Sequence, residues 1–316
     1  MNRLIIFVVL LLITSLLGYF FKTDENENIQ EDFSNIENHV LHNNPITIYD
    51  EFYSSLYDEL FLNKMKNEFE IYNIELYTIN EPKHKNKFTK EHIRFLDLGC
   101  GNGKHLDIIL RKKYKADGID ISEPMLKRAK KLIANHKYSS DVKLTQGDFM
   151  KDTSIFTNSK YSHIMCMFYT VYYVKDTKTL FTNIYNSLKD GGYMIIHLVN
   201  KKLFDPVLEK ASKLIPLFNP QRHSNSRITK TKLKFNKFDY VADWNITEND
   251  MNVVFRENFI FKDKNRQLLV NEHIFYMRNI PYYTNMAKGL GFELVKIIDL
   301  LPTNHDNSYL YLFRKM

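Results

Sequence analysis

The sequence predicts an α/β fold, a mostly parallel sheet with helices on both faces. Three observations predict it. A short apolar run, Phe95-Leu-Asp-Leu98, ends in a glycine-rich turn, Gly99-Cys-Gly-Asn-Gly103, and a helix-forming stretch follows at once. A second run, Ala116-Asp-Gly-Ile-Asp120, ends in a carboxylate and leads into Ile121-Ser-Glu-Pro-Met125, where Ser122 is an N-cap and Pro124 sits in the first turn. Further runs at 142–149, 161–168 and 188–197 follow in order along the chain.

The glycine turn carries most of the chemistry. Without Cβ atoms the backbone can take positive φ, and a ligand can lie against it. The helix that follows presents unpaired N–H groups and the positive end of its dipole to a negative group. Asp97, two residues before the first glycine, stands where the strand emerges and can accept a hydrogen bond or pair with a cation. A dinucleotide site requires G-x-G-x-x-G, yet after Gly99 and Gly101 the third position is Lys104. A P-loop requires Gly-Lys followed by Ser or Thr, and Gly103-Lys104 is followed by His105. The pattern is instead D-x-G-x-G-x-G, through Asp97, Gly99, Gly101 and Gly103.

That segment resembles motif I of class I S-adenosylmethionine (SAM)-dependent methyltransferases. The resemblance implies a Rossmann-like seven-stranded sheet with helices on both faces, and SAM as cofactor. It implies that Asp120 holds the ribose hydroxyls and that Ile121 and Met125 flank the adenine. The run Val142-Lys-Leu-Thr-Gln-Gly-Asp-Phe149 resembles the family's third strand and acidic turn, so Asp148 is expected at the adenine amino group and Phe149 against the ring. Leu188-Lys-Asp-Gly-Gly192 is similar to the family's L-K-P-G-G turn, with Asp190 replacing proline, and Gly289-Leu-Gly-Phe292 is similar to its A-G-F signature. The resemblance covers about residues 46–316. It is specific for cofactor and fold and weak for the methyl acceptor.

Flanking segments add further expectations. Residues 4–21 are an almost unbroken apolar run between Arg3 and Lys22, long enough for a helix to cross a bilayer. The rival reading is a cleaved signal peptide, but no small-x-small cleavage site follows. The expectation is a single-pass membrane anchor over 1–22, an acidic flexible tether over 23–45, and a catalytic domain on the cytosolic side. The whole chain carries +7, and the tether is acidic, so the remaining domain is basic enough to attract anionic headgroups, nucleic acid or an anionic substrate. There are two cysteines, Cys100 and Cys166, and no C-x-x-C or H-E-x-x-H pattern, so no metal site is expected.

The core is expected over 46–199 and 281–316, with an insertion over 200–280. Tyr49, Phe52, Tyr53, Leu56, Tyr57 and Leu60 recur at helical spacing. They resemble the Y-x-x-x-Y-D lead helix of small-molecule methyltransferases, whose tyrosines line the acceptor pocket. In the insertion a helical stretch over 205–217 is followed by three runs that alternate with period two, which indicates an antiparallel sheet roofing the acceptor. Trp244, Arg256, His273, Tyr276 and Arg278 are candidates to face the pocket. The ends of the fourth and fifth strands single out Tyr169, Tyr172, Tyr173 and His197, with His197 as a candidate general base. Met167-Phe-Tyr-Thr-Val171 lacks the Asn/Asp-Pro-Pro-Tyr motif of amino-methylating DNA enzymes. The expected acceptor is a small or lipid-like molecule. An RNA cap-type acceptor is the alternative, and a membrane-tethered binding module without catalysis is a third reading.

Overall fold

The computed structural model of the chain describes residues 38–61, 63–80, 88–137, 139–206, 227–246, 252–263 and 267–316. It opens with strand β1 (His39–His42), a single helical turn α1 (Pro45–Ile48), and helices α2 (Glu51–Phe61) and α3 (Lys64–Thr78). The glycine turn joins β2 (Arg94–Leu98) to α4 (Lys104–Arg111). Alternation continues through β3 (Lys115–Asp120), α5 (Glu123–Ile133), β4 (Leu144–Gln146), β5 (Tyr161–Cys166), α6 (Thr177–Ser187) and β6 (Leu188–Val199). The insertion supplies β7 (Lys230–Lys234), β8 (Phe238–Ile246), β9 (Val253–Phe261) and β10 (Leu268–Phe275). Helix α7 (Ile280–Gly289) and strands β11 (Phe292–Asp299) and β12 (Ser308–Lys315) complete the chain.

The main sheet has seven strands in the order β11-β12-β6-β5-β2-β3-β4. The five from β6 to β4 are parallel, and β12 runs antiparallel to both β6 and β11. The fold is Rossmann-like, with a mixed sheet. Every residue of β5 is buried, as expected of a parallel strand covered on both faces. Alternation splits β2 between two cores: Leu96 and Leu98 enter one, Phe95 the other. The chain winds outward from β2 through β3 to β4, then returns to lay β5 on the other side of β2. This reversal opens a crevice at the carboxyl end of β2, where ligands bind in such sheets.

A second sheet has the order β1-β10-β9-β8-β7. Its four inserted strands form an antiparallel meander, as their period-two pattern requires. Phe238, Tyr240, Ala242 and Trp244 on β8 share one buried face with Val253, Phe255, Glu257 and Phe259 on β9. Phe52 of α2 packs edge-on against Phe238 and Phe259, with ring centroids 5.7 and 5.3 Å apart, which fastens the sheet to the lead helix. The fifth strand departs from expectation. His39–His42, assigned by composition to the tether, pairs parallel to β10, where Leu268 and Leu269 offer an edge.

The expected membrane localisation is corrected. No helix among the described residues is long and apolar enough to cross a membrane. The helix expected over 1–22, the tether as far as residue 37 and the helical stretch expected over 205–217, from residue 207 on, lie outside the described residues.

Candidate active site

The turn after β2 is held in one shape by its own hydrogen bonds. The N–H groups of Gly99 and Cys100 both donate to the Ile119 carbonyl, at 2.9 and 3.0 Å. Gly99 and Gly101 have φ of +68° and +52°. A Cβ on Gly99 would meet Thr170 at 2.7 Å, whereas one on Gly101 would meet nothing within 4 Å. Gly101 therefore takes its conformation from the turn and faces open space. Its N–H donates to Asp120 Oδ2 at 2.7 Å, and the Ser122 N–H donates to Oδ1 at 2.9 Å. Burial pushes the Asp120 carboxyl up, and these N–H donors oppose the rise.

Asp97 is 1% exposed, and neither of its carboxylate oxygens has a hydrogen-bond partner among the described residues. Burial pushes its pKa up to about 7; the charge of His105 works against the rise and that of Asp120 with it. A buried carboxylate without a partner is costly, and such groups are characteristically completed by a ligand. Gly99, Gly101, Asp120, Ile121, Met125, Asp148 and Phe149 line one cavity, whereas Asp97 and Gly103 are not part of its wall. Asp148 is held by the Met150 N–H, which donates to its Oδ1 at 2.9 Å.

The helix start after the turn anchors the lead helix. Lys104 Nζ lies 2.7 Å from Asp58 Oδ2, and Asn102 Nδ2 donates to Asp58 Oδ1. Ser122 accepts from the Met125 N–H as N-cap of α5 and donates its hydroxyl to the Tyr49 carbonyl. Beneath lies a buried group: Glu70 pairs with Lys66 at 2.8 Å and with His105 at 2.9 Å. Burial raises the Glu70 pKa, but the neighbouring Lys66 and His105 hold it well below the usual carboxylate range.

The cavity has a volume of about 360 Å³ and runs from the glycine turn to the inserted sheet. Its far end is aromatic. Tyr169 sits 5.7 Å from Trp244 and 5.8 Å from Phe275, ring centre to ring centre. The Trp244 indole N–H is buried without a partner among the described residues.

A hydrogen-bonded chain leaves this end. The Tyr49 and Tyr173 hydroxyls lie 3.1 Å apart, and Tyr173 is hydrogen-bonded to His273 Nδ1. His273 Nε2 lies 2.7 Å from Glu257 Oε2, and the Tyr240 hydroxyl donates to Glu257 Oε1 at 2.6 Å. Tyr49, Tyr173 and His273 line the cavity; Glu257 is fully buried behind them.

Several expected site residues lie elsewhere. Tyr172 is buried, and its hydroxyl accepts from the Val199 N–H at 2.8 Å, joining two core segments. His197 donates from Nδ1 to the Phe168 carbonyl at 2.8 Å, and burial lowers its pKa to about 3, so it is a neutral core histidine. Neither lines the cavity. Arg256 has the opposite parity to Phe255 and Glu257 and points outward to pair with Glu272 across the strands. Tyr276 and Arg278 also lie outside the cavity wall. Glu257 was missed, although a signal existed. Val253, Phe255 and Phe259 mark the apolar face of β9, and an acid of the same parity is an acid on a buried face.

Residues 89–244 match the family described as a methyltransferase domain. Juvenile hormone acid O-methyltransferase of Bombyx mori is 33% identical over 135 residues, 41% of this chain and 47% of its own length. dTDP-3-amino-3,4,6-trideoxy-alpha-D-glucopyranose N,N-dimethyltransferase of Streptomyces venezuelae is 32% identical over 111 residues, 34% of this chain and 43% of its own length. The chain thus spans about half the length of the curated relatives it matches. Among solved structures, an S-adenosylmethionine-dependent methyltransferase from Clostridium acetobutylicum ATCC 824 gives a TM-score of 0.58 at 18% identity, covering 84% of this chain and 98% of that one. At that identity the likeness is one of fold. Fold and family match together point to a methyltransferase domain over residues 89–244, and solved neighbours of this fold are described as bound to SAM, the cofactor expected from the sequence, and to S-adenosyl-L-homocysteine. The residues present fit that cofactor: it is cationic, Asp97 is a buried carboxylate without a partner, and Gly101 leaves open space beside it.

Proposed function

We propose that this protein transfers the methyl group of SAM to a small, largely apolar acceptor. One observation carries the reading. A single cavity joins the glycine turn and Asp120 at one end to Tyr49, Tyr169, Tyr173 and Trp244 at the other. Donor and acceptor sites of a direct transfer must share one space, because the two must meet in line at near-attack distance.

SAM supplies an electrophilic methyl group when bound. The chain's own residues do the rest. Asp97 and Asp120 hold the cofactor beside the glycine turn, with Ile121, Met125, Asp148 and Phe149 about the adenine. The aromatic end holds the acceptor's apolar body and excludes water. The Trp244 indole N–H is placed to donate to a polar group on the acceptor. The curated relatives leave the acceptor's chemistry open: one name specifies an acid O-methyltransferase and the other an amino-sugar N,N-dimethyltransferase. The test is incubation of the full chain with methyl-labelled SAM and two fractions of a cell extract. Label in the low-molecular-weight organic fraction supports the reading. Label confined to RNA, or no transfer to either, overturns it.

A further inference from the structure

We infer that Tyr49, Tyr173, His273 and Glu257 form a proton relay, and that the acceptor is therefore a hydroxyl or amine that must lose a proton, not a carboxylate. This rests on the methyl-transfer reading above and narrows its substrate class.

For a neutral His273, hydrogen-bond chemistry sets the direction of the relay. A carboxylate only accepts, so Glu257 accepts from His273 Nε2–H at 2.7 Å. It also accepts from the Tyr240 hydroxyl, so each of its oxygens has a donor. With the proton on Nε2, Nδ1 of a neutral imidazole must accept. Tyr173 therefore donates to Nδ1, and the Tyr173 oxygen accepts from Tyr49. What remains at the cavity is the Tyr49 oxygen, with lone pairs to accept a proton. A carboxylate acceptor would set two acceptors face to face; a hydroxyl or amine would donate along the chain.

Burial grades along the same path. Tyr49 and Tyr173 are partly exposed, His273 is 2% exposed and Glu257 is fully buried. Burial raises the pKa of both phenols, with neighbouring Tyr57 and the charge of Glu257 adding to the rise and Asp120 adding to it at Tyr173. These are the titratable groups that face the relay, with Tyr53 and Tyr240 behind it. Phenols so disfavoured as anions pass a proton on, and the charge comes to rest on His273 against Glu257. The balance is complete: the acceptor's lone pair forms the bond to carbon, the carbon–sulfur pair stays on sulfur, and the acceptor's proton moves through Tyr49 and Tyr173 to His273 Nδ1. Release of product exposes the cavity and returns the proton to water.

Four measurements separate the layers. SAM titrated calorimetrically into the full chain tests the underlying reading alone; binding absent there sinks that reading, whatever the relay does. Nitrogen NMR of histidine-labelled protein tests the relay without turnover. The expected His273 signal is a neutral imidazole protonated at Nε2, altered in Glu257→Gln; an imidazolium or an Nδ1–H tautomer in the wild type overturns the relay. Labelled product treated with mild alkali tests the acceptor. Stable label marks an ether or amine and supports the proposal, and label released as methanol marks an ester and overturns it. Tyr173→Phe removes one hydroxyl at constant shape and should lower turnover about 100-fold or more, the range for lost general-base catalysis, with SAM affinity unchanged. Full turnover in Tyr173→Phe contradicts the relay.

Discussion

The two ends of the cavity are built by opposite means. At the glycine-turn end, nine consecutive residues and one strand-end carboxylate are held together by hydrogen bonds from backbone N–H groups. At the acceptor end the contributing residues come from three separate regions of the chain. Tyr49 precedes α2, Tyr173 follows β5, and His273 and Glu257 come from adjacent inserted strands, yet they meet in one chain of hydrogen bonds. The difference teaches that a ligand common to many enzymes can be held by a local backbone device, whereas a particular acceptor is held by side chains gathered over long distances.

The comparison breaks most readily at Asp97. Asp97→Ala should weaken SAM binding by about 10- to 100-fold, the loss of a charged hydrogen-bonding group, while leaving the acceptor end intact. Calorimetry reads this directly. The companion Asp97→Asn separates binding from stability. Folding raises this carboxyl to about 7, so from about pH 4 to 7 the folded chain keeps a proton that the unfolded chain has lost. The group's contribution to stability falls as pH rises through that window, by up to ~4 kcal/mol in full. Asp97→Asn should therefore melt higher than the wild type at pH 8 without cofactor and lose that advantage near pH 4. Identical melting curves at pH 8 would contradict the buried, unpartnered carboxylate.

At the opposite end, Trp244→Ala removes a ring packed against Tyr169, Phe204, Phe255 and Phe275. A cost of about 3–5 kcal/mol in chemical denaturation is expected. Trp244→Phe keeps most of that packing and deletes the orphan N–H, so acceptor KM should rise with SAM affinity unchanged.

How much was legible follows the same division. Asp97, the glycines and Asp120 are close in sequence, so one motif exposed them together, and the resemblance it carries implied the seven-stranded core. The inserted sheet was legible as period-two runs. Its inward residues were only half so, because parity had to be applied strand by strand: His273 and Trp244 face the cavity, and Arg256 does not. Glu257 stood on the apolar face of its strand and was passed over because its partner lies on another strand. His197 looked catalytic from its place near the end of β6. Its bond to the Phe168 carbonyl, which no sequence pattern announces, makes it a core residue.

Gly101→Ala tests the cofactor end more gently. The new methyl group meets nothing in the protein, so the folding cost is that of a left-handed alanine, about 1–2 kcal/mol. SAM affinity should fall further than stability does, because the methyl occupies the open space at the turn. Tyr172→Phe should have the smallest effect on chemistry. It orphans the buried Val199 N–H and costs about 1–3 kcal/mol of stability, with turnover per folded molecule unchanged.

The central claim is that the glycine-turn end selects the donor independently of the end that handles the acceptor. Side-by-side calorimetric titration of SAM into the wild type, Asp97→Ala and Tyr173→Phe tests it most directly. The predicted result is at least a tenfold loss of affinity in Asp97→Ala and wild-type affinity in Tyr173→Phe. Wild-type affinity in Asp97→Ala, or an equal loss in both variants, would contradict it.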